Sequence, residues 1–508
     1  MLIAIVPLVA VAVADLRWLR VMQREHYIPG SCTRAALRWA RKRPPNQVLA
    51  PVLAAAALLA VAARTAAVAL GAALAASAGS AVFPAGLPLL GGQRRIVRTP
   101  RLRRLAACTA SLEALVIAAG TVWPGTAVAA AVVAAAVPAV TDAAAWIMRP
   151  AEARLARRFR RAAEATLRRV APRVIAVTGS YGKTSTKNHI ADLLRGTFDV
   201  VASPASFNND SGLCRTVNQH LGPHTQVLVA EMGTYGTGEI RAMCSWVRPQ
   251  IGVITAIGPM HLERMKTLDT VVRAKSEILE GTEIAILNVD DERLAGLAGS
   301  VHGADVWRCG TRRQPGLAVS LERDDSVVTV RFRGGVIGSF TRVPGLHLPN
   351  IACAVAASLA AGAPPDRVIA RIGDLSAPAH RAVQAVADSG VVVIDDTYNS
   401  NPEGAARALE LLESAVGGWQ RRAVVTPGMV ELGPEQDAAN RAFAAAVAKA
   451  DAVLVAVGWT NRRALLAGAA DGEVVTVRSR AAARAWVRSA LGAGDGVLWE
   501  NDLPDHYP

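Results

Sequence analysis

The chain has 508 residues, 52% of them hydrophobic and only 4% aromatic, with a formal net charge of +15. That length holds several domains with cores of their own. The basic excess calls for anionic partners, but no basic stretch carries the interleaved aromatics of a single-strand binder, so nucleic acid is not expected among them. Six cysteines are scattered without a CxxC pair, which argues against a zinc ribbon or a disulfide framework.

Residues 1–148 read as an α-helical membrane region. Residues 2–14 are apolar, and 47–92 and 105–148 are each long enough for two spans of about 20 residues. The "WPG" at 123–125 supplies a turn between the last two. Basic segments at 16–48, 93–104 and 149–170 fall on one side if there are about five spans. The expected location is therefore the bacterial cytoplasmic membrane, multi-pass, with the remaining domains cytoplasmic. Residues 149–171 follow as a basic amphipathic linker helix. Leu155, Phe159, Ala163 and Leu167 recur at helical spacing among arginines, a pattern suited to an anionic membrane surface.

After Pro172 the pattern changes to strands alternating with helices. Two α/β domains are expected, at 172–376 and 377–508. The run Val174–Val177 predicts a buried strand, Gly179-Ser180-Tyr181-Gly182-Lys183-Thr184 a phosphate-binding turn, and 184–195 a helix. Glycines let backbone N–H groups face phosphates, and the helix N-terminus adds its positive end. Gly179, Ser180, Gly182, Lys183, Thr184 and Ser185 are thus candidate ATP-binding residues, with Thr184 also a Mg²⁺ ligand. Glu231 ends the apolar strand "VLVAEM", which puts a carboxylate at the same sheet edge. His261 follows "IGVITAIG" and can serve a second ion. From 391 onward five strands alternate with helices and predict a second, mostly parallel sheet.

These motifs stand in an order that resembles the Mur ligase family, ATP-dependent enzymes that join an amino acid or peptide to a carboxylate. "TGSYGKTSTK", "SFNNDSG", "AEMGTYGTGEI", "ITAIGPMHLERM", "RAKSEI" and "VIDDTYNSNPEG" carry the resemblance over roughly residues 172–508. It is closest to members that add D-alanyl-D-alanine to UDP-N-acetylmuramoyl-tripeptide.

The resemblance implies that Lys275 matches a lysine carbamylated in several members, which makes it a metal-binding and catalytic group beside Lys183 and His261. It implies that Asn350 contacts adenine, Arg381 the γ-phosphate and Asp396 the ribose hydroxyls. Asn208, Asn209, Asn399 and Asn401 are the implied substrate-binding residues. "TPGMVELG" departs from the family's Gly-Asp-Met turn.

The cofactors implied are ATP and Mg²⁺. The implied partners are a carboxylate-bearing muropeptide-like or lipid-linked acceptor and an amino acid or dipeptide that donates the amine. The family's UDP-recognising N-terminal domain has no counterpart in residues 1–148, and a membrane-bound acceptor is the corresponding expectation. A poly-γ-glutamate-type synthase and a membrane P-loop ATPase or transporter are the alternatives.

Overall fold

The computed structural model describes residues 2–89, 96–122, 125–205, 207–260, 262–312, 314–341, 346–375, 383–397, 400–416, 420–503 and 507–508. His261, Arg381 and Asn399 lie outside the described residues, as do Trp123 and Pro124 of the expected turn. Two compact units form. One comprises Met1–Leu155 with Val457–Arg462 and Asp502–Pro508, and the other Ala156–Ala456 with Arg463–Asn501.

The first unit is helical: α1 (Leu2–Arg24), α2 (Ser31–Lys42), α3 (Pro44–Ala62), α4 (Ala66–Val82), α5 (Pro100–Ala119) and the start of α6 (Thr126–Val170). Its core is built on Trp18, Met22, Cys32, Trp39, Ala76 and Val137. Asp142 of α6 accepts from the N–H groups of Cys32 and Thr33 at 3.1 and 2.9 Å, so a carboxylate meets the positive end of α2.

This unit corrects the five-span expectation and the membrane location that rested on it. Among the described residues, two helices are long and apolar enough to cross a membrane, α3 and α6. Half of the most apolar stretch of α6 is buried within the protein, as for the core helix of a packed domain. α1 carries Asp15, Arg17, Arg20 and Arg24. Its Arg17 and Arg20 donate to the carbonyls of Ala81 and Pro88, so these charges have protein partners. α5 opens on Arg101, Arg103 and Arg104 and buries Glu113, and α4 has only 17 residues.

The linker helix is corrected too. It is not a separate element but the continuation of α6. Ala163 and Leu167 pack into the second unit beside Val174, Leu213 and Trp246. Arg160 pairs with Asp210 at 2.9 Å, and the Phe159 carbonyl accepts from Asn218 at 3.1 Å. Half of the apolar stripe is thus covered by protein, while Phe159 stays exposed.

The second unit holds two sheets. The first contains β1 (Arg173–Thr178), β2 (Val200–Ala202), β3 (Val227–Glu231), β4 (Ile251–Ile254), β5 (Ile284–Asn288), β6 (Asp305–Gly310), β7 (Val319–Asp324), β8 (Val327–Phe332) and β9 (Gly335–Thr341), in the order 2-3-1-4-5-6-7-8-9. β1 to β6 pair in parallel, and β7 to β9 add an antiparallel meander. Residues 174–178 of β1 are all buried, because the sheet is covered on both faces. The helix Leu348–Ala360, apolar almost all round, fills one of those faces.

The second sheet contains β10 (Val383–Val386), β11 (Val392–Asp396), β12 (Arg422–Thr426), β13 (Ala452–Val457), β14 (Val474–Val477) and β15 (Gly496–Glu500), in the order 10-11-15-12-13-14. The five alternating strands expected after 391 are all present and parallel where they pair around β15. Sequence reading did not anticipate β10, which is antiparallel to β11.

Candidate functional site

In the first sheet β1 lies between β3 and β4. The register sets Val177 beside Glu231 and Thr178 beside Ile254, so three strand ends converge where the chain switches sides. The Thr178 hydroxyl donates to the Met232 carbonyl at 2.7 Å and locks β1 to the exit of β3.

The turn from β1 into α7 (Lys183–Leu194) depends on Gly182, whose φ of +78° favours glycine. A Cβ there would fall 2.3 Å from the Asn350 Oδ1. No side chain caps α7, which leaves its first-turn N–H groups facing the turn. Ser180 ties the loop to the segment after β4. Its Oγ accepts from the Gly258 N–H at 2.9 Å, and its own N–H donates to the Ala256 carbonyl at 2.7 Å. Thr184 is half-buried in the first turn of α7, and Ser185 is buried behind it.

Two lysines meet at one carbonyl. Lys183 Nζ donates to Gly179 O at 2.7 Å and Ser180 O at 3.2 Å, and Lys275 Nζ donates to the same Gly179 O at 3.0 Å. Lys275 is 2% exposed. Burial, with the Lys183 charge beside it, holds its ammonium well below the ordinary lysine range.

Glu231 is 1% exposed. Its Oε1 accepts from Asn208 Nδ2 at 3.0 Å, and its Oε2 lies 3.6 Å from Lys187 Nζ with no hydrogen bond. Its backbone N–H donates to Ser203 Oγ at 3.1 Å.

The implied substrate residues are held by the fold. Asn208 orients Glu231, Asn209 caps the helix Asp210–His220 through the Gly212 N–H at 2.9 Å, and Asn401 caps Pro402–Ala415 through the Gly404 N–H at 2.9 Å. Asn350 is buried against Gly182 at the start of its own helix.

In the second sheet Asp396 ends β11 opposite Glu500, which ends β15. Glu500 is fully buried and accepts from the Ser400 and Thr426 hydroxyls. Burial pushes its carboxyl up to about 8, helped by the charge of Asp396. Next to it, Asn501 Nδ2 donates to the Gly428 carbonyl at 2.7 Å and braces the divergent "TPGM" turn.

Sequence reading did not single out Lys187 or Glu500. For Lys187 a signal was present, since it stands one helical turn after Lys183 and on the same side of α7. Glu500 looks like an ordinary strand-end acid, and only the packing of Ser400 and Thr426 sets it apart.

Residues 177–360 match the Mur ligase middle domain, and residues 380–500 match the Mur ligase glutamate ligase domain. The chain is 31% identical over 375 residues to the UDP-N-acetylmuramoyl-tripeptide--D-alanyl-D-alanine ligase of Mycobacterium leprae, covering 64% of this chain and 70% of the relative. Among solved structures, MurF from Acinetobacter baumannii superposes with a TM-score of 0.57 at 24% identity, over 67% of this chain and 76% of that one. The MurF ligase from Thermotoga maritima in complex with ADP gives 0.58 at 22% identity, over 68% and 80%. Shared fold, shared motif order and identity across both α/β domains agree: the chain belongs to the Mur ligase family of ATP- and Mg²⁺-dependent ligases.

Proposed function

We propose that the protein joins D-alanyl-D-alanine to the terminal carboxylate of a UDP-N-acetylmuramoyl-tripeptide, as the name of its Mycobacterium leprae relative states for that enzyme. The observation that carries this reading is the convergence of Lys183 and Lys275 on Gly179 O, at the sheet edge where Glu231 ends β3.

In this reading Gly179, Ser180, Gly182, Lys183, Thr184 and Ser185 hold the ATP phosphates, while Asn350, Arg381 and Asp396 face the nucleoside and γ-phosphate. The substrate carboxylate attacks the γ-phosphorus, ADP leaves, and an acyl-phosphate forms. The amine nitrogen then attacks the acyl carbon, phosphate leaves, and the nitrogen loses a proton as the amide forms. Lys183 follows the charge of the phosphoryl group in transit. Asn208, Asn209, Asn399 and Asn401 are the residues proposed to recognise the acceptor and the amine.

The donor set fits Mg²⁺. Glu231 presents a buried carboxylate oxygen without a hydrogen bond, and Thr184 adds a hydroxyl, both hard oxygen ligands. His261 and a carbamylated Lys275 complete the proposed set. Magnesium, when bound, neutralises phosphate charge. Burial beside Lys183 favours the neutral amine of Lys275, the form that reacts with CO₂.

The test is incubation with ATP, D-alanyl-D-alanine and either UDP-linked or lipid-linked muramoyl-tripeptide, with the amide product identified by mass spectrometry. Amide formation on the UDP-linked acceptor is expected. Product only with another amine, or only on a lipid-linked acceptor, would overturn the substrate assignment.

A further inference from the structure

Lys187 is a buried cation that the proposed chemistry does not use. It is 2% exposed, on α7, one turn beyond Lys183. Its side chain does not join Lys183 at the phosphate turn. Instead Nζ donates to the carbonyls of Ser203 at 2.7 Å and Ala205 at 2.9 Å, and lies 3.6 Å from Glu231 Oε2. Removing an ammonium from water costs several kcal/mol, so an apolar residue would serve a purely packing role better. Here the charge meets the carbonyls of Ser203 and Ala205 and the Glu231 carboxylate.

The same segment holds Glu231 from its other sides. Asn208 Nδ2 donates to Oε1 at 3.0 Å, and Ser203 Oγ accepts from the Glu231 N–H at 3.1 Å. The Gly233 N–H donates to Asn208 O at 2.7 Å, and a Cβ at Gly233 would come within 3.0 Å of the Asn208 side chain. Ser203, Ala205, Asn208, Lys187 and Glu231 therefore form one interlocked set, with a cation toward one carboxylate oxygen and an amide on the other.

We propose that Lys187 is a positioning residue that fixes the Glu231 carboxylate for the divalent metal and ties it to the backbone at Ser203 and Ala205. The inference rests on the metal reading of Glu231 above. Its physical basis is preorganisation: a carboxylate hydrogen-bonded at Oε1 and drawn at Oε2 toward a nearby ammonium loses little freedom when a metal arrives. Lys187 also links the helix that starts at the phosphate turn to the segment carrying Asn208, so both follow the position of one ammonium.

The experiment measures Mn²⁺ binding to the full-length protein with ATP by electron paramagnetic resonance, alongside nucleotide affinity in EDTA. The variants are Lys187→Met, Asn208→Ala, their double and Glu231→Ala. We expect Lys187→Met to weaken Mn²⁺ about tenfold while metal-free nucleotide affinity stays within about twofold. The double variant should be no more than about threefold weaker than the worse single, because both side chains act through one carboxylate.

Unchanged Mn²⁺ affinity in Lys187→Met, or effects that multiply in the double, would overturn the role of Lys187. Unchanged affinity in Glu231→Ala would instead overturn the metal reading beneath it. Should Lys187→Met fail to fold, Lys187→Gln keeps a donor for Ser203 or Ala205 without the charge, and the same Mn²⁺ outcomes decide.

Discussion

The carboxyl edges of the two sheets in the second unit are built from opposite charges. At the first edge three lysines gather: Lys183 and Lys275 on the Gly179 carbonyl, and Lys187 beside the one buried carboxylate, Glu231. At the second edge Asp395, Asp396 and Glu500 gather at the ends of β11 and β15, with hydroxyls of Thr397, Ser400 and Thr426 donating to two of them. A cationic edge suits phosphates in motion; an acidic edge with hydroxyl partners suits ribose hydroxyls and an incoming ammonium. The same strand–helix architecture thus presents complementary chemistry according to which residues end its strands.

The comparison breaks most sharply at Lys183. If the first edge is a phosphate site, Lys183→Ala removes the cation nearest the transferred group. We expect kcat/KM for ATP to fall by at least about 10³-fold. Thermal unfolding should move little, because this half-exposed lysine donates to the Gly179 and Ser180 carbonyls of its own loop. Steady-state assays beside a melting curve decide it, and near-normal turnover would remove the phosphate role.

Lys275 sharpens the same edge. Its burial beside Lys183 makes it a poor cation, and the proposed carbamate would turn it into an anion. Lys275→Ala is expected to lose about 10²-fold in kcat, a loss typical of removing one ligand-sphere group. Formate or acetate should restore part of the activity by entering the space left. Wild-type activity should also rise with bicarbonate when CO₂ is limiting. A fully active Lys275→Ala protein would show that the lysine only stabilises Gly179.

The two edges were not equally legible in the sequence. At the first the local elements were legible, since "GSYGKT" dictates a strand, a tight turn and a helix start, and the apolar run before Glu231 dictates a strand end. Lys187 escaped because its role depends on carbonyls sixteen and eighteen residues away; its spacing from Lys183 shows a shared helix side but not those partners. The acidic edge was read through Asp396 alone, because the burial of Glu500 depends on a turn about 100 residues distant and on Thr426 of a neighbouring strand. The N-terminal unit was misread for a related reason. Alanine-rich apolar runs look the same whether they face lipid or each other, and the charges of α1 find carbonyls at Ala81 and Pro88 that local pattern cannot reveal.

The smallest effect tests the acidic edge through stability alone. The Glu500 carboxyl sits at about 8, above its ordinary value of 4.5, because burial penalises the charged form. The unfolded chain releases this proton near the ordinary value, whereas the folded chain keeps it until about pH 8. The folded state is therefore progressively disfavoured as pH rises from about 4.5 to 8, and below that range the group is neutral in both states. Glu500→Gln keeps the shape. Its amide oxygen can accept from Thr426 and its NH₂ can donate to Ser400, the arrangement a protonated carboxyl would make. The variant should gain little over wild type at pH 4 and unfold several degrees higher at pH 8.5, since each pH unit between the two values is worth about 1.4 kcal/mol. Melting curves across that range give the answer. A gain at pH 8.5 that is equally large at pH 4 would come from packing. No gain at either pH would mean that Glu500 is charged in the folded protein, with the acidic edge carrying its full negative charge at neutral pH.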